Sequence, residues 1–280
     1  DGSLSTPTLG TSNVRFGVNA GNSILSGGNY NVMVGDGAGQ LVTTGVQNTL
    51  IGGEAGDALT DADYNVAIGY LALSGDTKGS RSVAIGRSAL QVQNFTSATN
   101  AYNVAIGFQC GDSVTTGIQN TLIGGLAGDS ITTANNNTAL GYNSLGLNTT
   151  GNSNVAIGYA ALDANTTASN NIAVGASALT ANLTGASNTA VGTSALTATT
   201  TGVENTAVGY LSGASNTTSS YSTFIGKGAG YYSTSAQNTY LGEQSGYYVT
   251  SGAKNTILGR YSGNQGGLDI RTASNNIVLS

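Results

Sequence analysis

The sequence predicts an all-β protein, a parallel β-solenoid (β-roll) with about 17 residues per coil. Three observations predict it. A five-residue phrase, Asn–(β-branched)–x–(aliphatic)–Gly, recurs at a nearly constant period along the chain. The phrase joins strand formers to a turn former, as a short strand requires. The composition agrees: 43 of 280 residues are Gly, only 8% are charged, and the single Pro, Pro7, precedes the array. Ordinary chains hold about 7% Gly and about 25% charged residues.

The phrase ends at Gly17, Gly35, Gly52, Gly69, Gly86, Gly107, Gly124, Gly141, Gly158, Gly175, Gly192, Gly209, Gly226, Gly242 and Gly259, and a sixteenth copy, NIVLS, ends at Ser280. Successive endings lie seventeen positions apart, except for one gap of eighteen, one of sixteen and two of twenty-one. Residues 13–280 therefore read as a single array of sixteen repeats behind a lead-in of residues 1–12. Stacked coils about 4.8 Å apart would make a rod of roughly 70–75 Å.

Each coil can be justified column by column, with the phrase Gly numbered 0. Position −4 is Asn in 14 of 16 copies, with Ser82 and Ser222 as exceptions. Stacked Asn side chains can form amide ladders. Position −3 is Val, Thr or Ile throughout, and −1 is apolar. Position +3 is small, and +4 is Gly or Leu. The stretch after the Gly, such as 70–73 or 193–196, would form a second short side, and the Asn/Thr/Gly segment would close the coil. Seventeen residues are too few for a strand, a helix and two turns.

Side chains alternate along a strand. The reading places columns −3 and −1 inward and column −2 outward. Position −2 is Ala in the middle of the chain, at Ala67, Ala84, Ala105, Ala139, Ala156, Ala173, Ala190 and Ala207, and larger toward the ends. A strand apolar on both faces is buried on both. The Ala row is therefore the expected interface of a homo-oligomer, dimer or trimer.

Several chemistries are excluded. With no His there is no Ser-His-Asp triad, and one Cys builds neither a disulfide nor a zinc site. Eight basic residues and a net charge of −5 argue against a nucleic-acid partner. No apolar run reaches the roughly 18–20 residues that span a bilayer, so no membrane insertion is expected. Thirteen scattered acids offer no convincing catalytic pair. The expectation is a protein that is not an enzyme, without cofactor or metal.

The phrases NTAVGY, NVAIGY and NTTG resemble the β-roll shafts of phage tail fibres and the head domains of trimeric autotransporter adhesins. The resemblance covers nearly the whole chain. It implies a left-handed roll associating as a homotrimer, carried on a virion tail fibre beside other tail proteins, or alternatively on a bacterial surface. The 17-residue period suits the viral fibre better, since adhesin heads usually carry a shorter coil. Residues 274–280, SNNIVLS, resemble the segment preceding the endosialidase-type intramolecular chaperone. That family cuts itself between a Ser and an Asp, which implies Ser280 as an autocleavage end; an arbitrary boundary is the alternative.

Candidate contact residues are aromatic. Seven of 14 Tyr lie after residue 220. The pairs Tyr231–Tyr232 and Tyr247–Tyr248 occupy columns +5 and +6 of adjacent coils, predicting a two-by-two patch. With Tyr261 they are candidates for contact with a host-cell receptor, possible glycan included, because Tyr combines an apolar face with a polar tip. The competing reading is a Tyr ladder that caps the rod or packs under a neighbouring subunit. The two 21-residue repeats add four residues each, within 87–103 and 260–276, and are secondary contact candidates. Cys110 fills the small +3 column and reads as buried. Glu54, Asp57, Asp61 and Asp63 read as a solvated turn rather than a Ca²⁺ loop, and Asp112 and Asp129 as like charges splayed into water. An ice-binding solenoid is a third reading, weakened by Thr alternating with Val in column −3.

Overall fold

The computed structural model describes residues 9–280, so residues 1–8 of the lead-in lie outside the described residues. The chain falls into two compact units, one ending at Asn137 and one spanning Thr138–Ser280. Each is a parallel β-solenoid, and together they hold sixteen coils. The first unit carries three-residue strands at Val14–Phe16, Val32–Val34, Thr49–Ile51, Val66–Ile68, Val83–Ile85, Val104–Ile106 and Thr121–Ile123. The second carries Thr138–Leu140, Val155–Ile157, Ile172–Val174, Thr189–Val191, Thr206–Val208, Thr223–Ile225, Thr239–Leu241, Thr256–Leu258 and Ile277–Leu279. Neighbours pair in parallel and in strict register, as in Val66↔Val83, Ala67↔Ala84 and Ile68↔Ile85. No helix occurs among the described residues.

The second side of each coil is made of turns, not of strand. Positions +2 and +4 adopt left-handed φ even when they are not Gly, as at Leu71 (58°) and Leu73 (53°). Alternate amides serve two purposes. In the Gly52 coil, Glu54 N–H donates to Asp36 O of one neighbouring coil and Gly56 N–H to Ala72 O of the next, while Ala55 and Leu59 close local turns onto Gly52 and Gly56. The backbone is thus hydrogen-bonded between coils without a second strand. The phrase Gly is required twice over. Gly52 has φ near 135°, and a Cβ there would stand 2.5 Å from the Gly69 carbonyl oxygen.

The facing of the strands corrects the expected interface. Ala67, Ala84, Ala105, Ala139, Ala156, Ala173, Ala190 and Ala207 are all at 0% exposure within the single chain. The Ala row is the inside of the coil and cannot be the oligomer interface. Columns −3 and −1 point outward: Ile51, Leu140, Ile172, Val208, Ile225, Leu241 and Leu258 are exposed. The reason is the width of the coil. A three-residue strand bracketed by a Gly turn on one side and an inward Asn on the other offers its narrow interior only the central side chain.

The Asn column does more than form a ladder. Asn48 N–H and Asn48 Nδ2 both donate to Asn31 Oδ1, at 2.9 and 3.1 Å, and Nδ2 also donates to Ala62 O at 2.8 Å. Each Asn therefore ties its neighbour in the stack to the closing segment of the coil. Where Ser82 breaks the column, Gln93 supplies the amide instead. Its Nε2 donates to Ser82 Oγ at 3.1 Å, and its Oε1 accepts from Asn103 Nδ2 at 2.8 Å.

Candidate functional site

The tyrosine quartet forms in the second unit. The rings of Tyr231 and Tyr247 stack with centroids 5.0 Å apart, and those of Tyr232 and Tyr248 at 6.2 Å. Within each pair the rings meet edge-on, at 4.6 Å for Tyr231–Tyr232 and 4.9 Å for Tyr247–Tyr248. Stacking follows from the solenoid, because identical columns of adjacent coils are superposed. Tyr231 and Tyr247 are half-buried, while Tyr232 (42%) and Tyr248 (52%) are exposed. Desolvation, then the neighbouring tyrosines, raises the Tyr247 hydroxyl pKa above its ordinary value, so this phenol stays neutral at physiological pH.

The next coil continues columns +5 and +6 as Asn264 and Gln265, and these open the second 21-residue insertion. Asn264–Gln265 pairs antiparallel with Leu268–Asp269 as a β-hairpin. Its two-residue turn, Gly266–Gly267, has φ of 60° and 86°, and a tight hairpin of this kind requires positive φ at both. The chain leaves the stack after Ser262, whose carbonyl accepts from Tyr248 N–H at 2.7 Å, and rejoins it at Arg271, whose carbonyl accepts from Thr250 N–H at 2.8 Å. Ile270 N–H to Gly263 O closes the neck at 2.8 Å. The four extra residues thus stand up as a wall beside the tyrosines.

Tyr261 has a different role from the quartet. It is only 4% exposed, and its hydroxyl donates to Leu268 O, anchoring the hairpin. It is a support of the site and offers little surface for contact.

Two clefts flank Tyr248. One, of about 350 Å³, is lined by Tyr232, Tyr248, Thr250, Asp269, Arg271 and Thr272. Arg271 is occupied there, with Nη2 2.7 Å from Asp269 Oδ2. Hydrogen bonds from Arg271 hold the Asp269 carboxyl below the ordinary carboxylate range. The other, of about 360 Å³, is lined by Gln244, Tyr247, Tyr248, Arg260, Ser262 and Gln265. The groups on offer are aromatic faces, amides, hydroxyls, guanidinium groups and the Asp269 carboxylate.

The other candidates belong to the first unit, except Ser280. Phe95, in the first insertion, is 7% exposed, and its amide donates to Asp76 Oδ1 at 3.0 Å. Arg81 lies over the rings of Tyr64 (4.7 Å) and Tyr102 (5.9 Å), and Arg87 over Phe108 (5.5 Å). Cys110 is buried, and desolvation pushes its thiol up to about 12. Of the acids near residue 60, Asp63 Oδ1 accepts from Val46 N–H at 2.8 Å and Asp61 lies 3.9 Å from Lys78. Asp57, by contrast, is not solvated as expected: its Oδ1 is buried with no hydrogen-bond partner among the described residues, and desolvation, then Glu54, raises its pKa. Asp112 is raised by desolvation, opposed by Arg87 and Gln109. Among the described residues no three such side chains converge as metal ligands would. Ser280 continues the ladder through its N–H to Leu258 O at 2.9 Å. Sequence reasoning treated the insertion and the tyrosines as separate candidates. The shared +5 and +6 columns, and the Gly-Gly pair inside the insertion, were the signals that would have joined them.

Comparison with family models, curated proteins and solved structures finds no match.

Proposed function

We propose that this chain is a structural and attachment protein: a left-handed, trimeric tail-fibre shaft of a bacteriophage or phage-like particle that also contacts a host-cell receptor. The observation that carries the reading is the outward apolar face. In each unit columns −3 and −1 form uncharged rows of Val, Ile, Leu and Thr, with Phe16 at the first strand. Burial of such rows stabilises by about 25 cal/mol per Å² removed from water, so a face repeated coil after coil favours self-association. The interface in this reading is the outward rows, with Ile157, Val174 and Val191 among them. The tyrosine quartet and its hairpin supply the receptor contact, and the phrases shared with fibre shafts and adhesin heads support the same assignment.

Light scattering tests the assembly. The expected mass is three times 27.7 kDa, resistant to detergent. Replacing Ile157 and Val174 by Lys should break the assembly, whereas a wild-type monomer would overturn it. Adsorption to host cells tests the contact: Tyr232→Ser with Tyr248→Ser should weaken it with the fold intact, and unchanged adsorption would remove the tyrosines from the function.

A second reading is favoured by one observation. Thr189, Thr206, Thr223, Thr239 and Thr256 fill the −3 position of five successive strands, and that column faces outward, contrary to the inward placement expected from sequence. A monomer presenting this row at the roughly 4.8 Å strand spacing would be read as ice-binding. Thermal hysteresis together with a monomeric mass would establish it, and a trimer without hysteresis would discard it.

A further inference from the structure

We infer that the cleft between the tyrosines and the hairpin is a subsite for an acidic sugar, a pyranose ring carrying a carboxylate. The inference rests on the attachment reading and names the class of glycan that such a contact would take.

Two features of the cleft carry it. The first is the aromatic wall of Tyr247 and Tyr248, held edge-to-face at 4.9 Å. Such a wall offers apolar ring faces to the C–H face of a sugar and hydroxyls to its rim. The second is Arg260, which is exposed, lines the cleft and donates one hydrogen bond, Nη2 to Gln244 Oε1 at 3.3 Å. It has no ion-pair partner among the described residues. A guanidinium presents a planar fork of donors that matches a carboxylate in two parallel hydrogen bonds.

The neighbouring clefts make the contrast. Across Tyr248, Arg271 is already bound to Asp269. On the other flank of Tyr247, the cleft lined by Tyr210, Tyr231 and Lys227 has its cation 4.0 Å from Glu243. Each of those cations has its anion within the chain, and Arg260 does not. In a chain of net charge −5, this leaves the Arg260 cleft with an unpaired cation beside an aromatic wall. A single guanidinium balances a single negative charge, which favours a carboxylate over a doubly charged phosphate. Gln244, Ser262 and Gln265 surround the same space with the amides and hydroxyl that sugar hydroxyls require.

The experiment is a glycan array probed with the full chain, pairing carboxylated oligosaccharides such as oligogalacturonate with their methyl esters. The expected result is retention of carboxylated glycans and at least a tenfold loss on esterification. R260Q should lose at least tenfold on the same glycans, and R260K should recover part of it. The thermal midpoint of R260Q should match wild type, because Arg260 is exposed. Equal binding of acid and ester, undiminished binding by R260Q, or no retained carboxylated glycan would each overturn the inference. Failure of the attachment reading looks different: adsorption to cells would then survive Tyr232→Ser with Tyr248→Ser, whatever the array shows.

Discussion

Within the second unit the interior of the solenoid is filled in two ways. The coils of Gly141, Gly158 and Gly175 place Ala at −2, Leu at +4 and Asn at +7: Ala156, Leu162 and Asn165 are all buried. The coils of Gly226 and Gly242 place Phe224 and Tyr240 at −2, and Gly230 and Gly246 at +4. A Cβ at Gly246 would meet the Tyr240 ring at 2.5 Å. The first unit repeats the contrast. Leu50, Gly56 and Leu59 fill one coil, and Ala67, Leu73 and Asp76 the next. One volume is thus supplied either from the strand or from the turn.

The difference shows that positions −2 and +4 act as a pair. A large strand residue is accompanied by Gly in the turn, and Ala in the strand by Leu in six of its eight coils; in the other two, Gly111 and Gly213 lie against Leu122 and Phe224 of the next coil, which fill the space. Column +7 is polar in every Leu coil, and also at Asn216 and Ser233, and builds a second ladder: Asn165 Nδ2 donates to Asn148 Oδ1 at 2.8 Å, and Asn182 Nδ2 to Asn165 Oδ1 at 3.0 Å. Packing at crystal-like density leaves no slack for filling both positions of one coil.

The largest effect is expected from emptying a coil. Leu162→Gly should cost about 3–5 kcal/mol, the range for deleting a buried Leu side chain. Adding Ala156→Leu should recover much of that loss, measured as the denaturant midpoint of the double variant against the single. Equal midpoints would separate the two positions and break the pairing. Overfilling should cost less. Gly56→Leu drives a side chain toward Leu50 Cδ2 and Leu59 Cδ1, which would already lie 2.8 and 2.9 Å from a Cβ, and should cost about 1–3 kcal/mol. Leu50→Ala in the same chain should relieve it.

The smallest effect concerns the one carboxylate in the +7 column. Asp76 Oδ2 accepts from Gln93 Nε2 at 2.6 Å, and Oδ1 from Gly79 and Phe95 N–H at 3.0 Å. Desolvation nevertheless raises its pKa in the folded chain. A folded acid with a raised pKa binds a proton that the unfolded chain has already released. Its contribution is therefore fully present below the ordinary Asp range and is lost as pH rises through the folded pKa. Denaturant midpoints should fall across that window, and Asp76→Asn should flatten the slope. An unchanged slope in the variant would assign the pH dependence to another acid.

Much of the fold was legible because a solenoid repeats its evidence. Sixteen copies average out local noise, and the Gly, Asn and small columns each report one backbone requirement. The tyrosine quartet was legible for the same reason, since equal columns in adjacent coils must stack. The hairpin was not, because an insertion escapes the period that made the rest readable. Nor was Gln93 standing in for the missing Asn at Ser82, since the two residues lie 11 apart in the chain and meet only through the coil.

The period, the strand phrase, the parallel stacking and the quartet can all be read from the residues. These follow from local conformational needs repeated at fixed spacing. Which strand face lies inside emerges only from the packing of the folded coil. Alternation states that Ala and its Val or Ile neighbours point opposite ways, but both rows are apolar, and hydrophobicity alone does not rank them. The narrow space between strand and turns does: it admits one strand side chain per coil and leaves the β-branched rows to the outside.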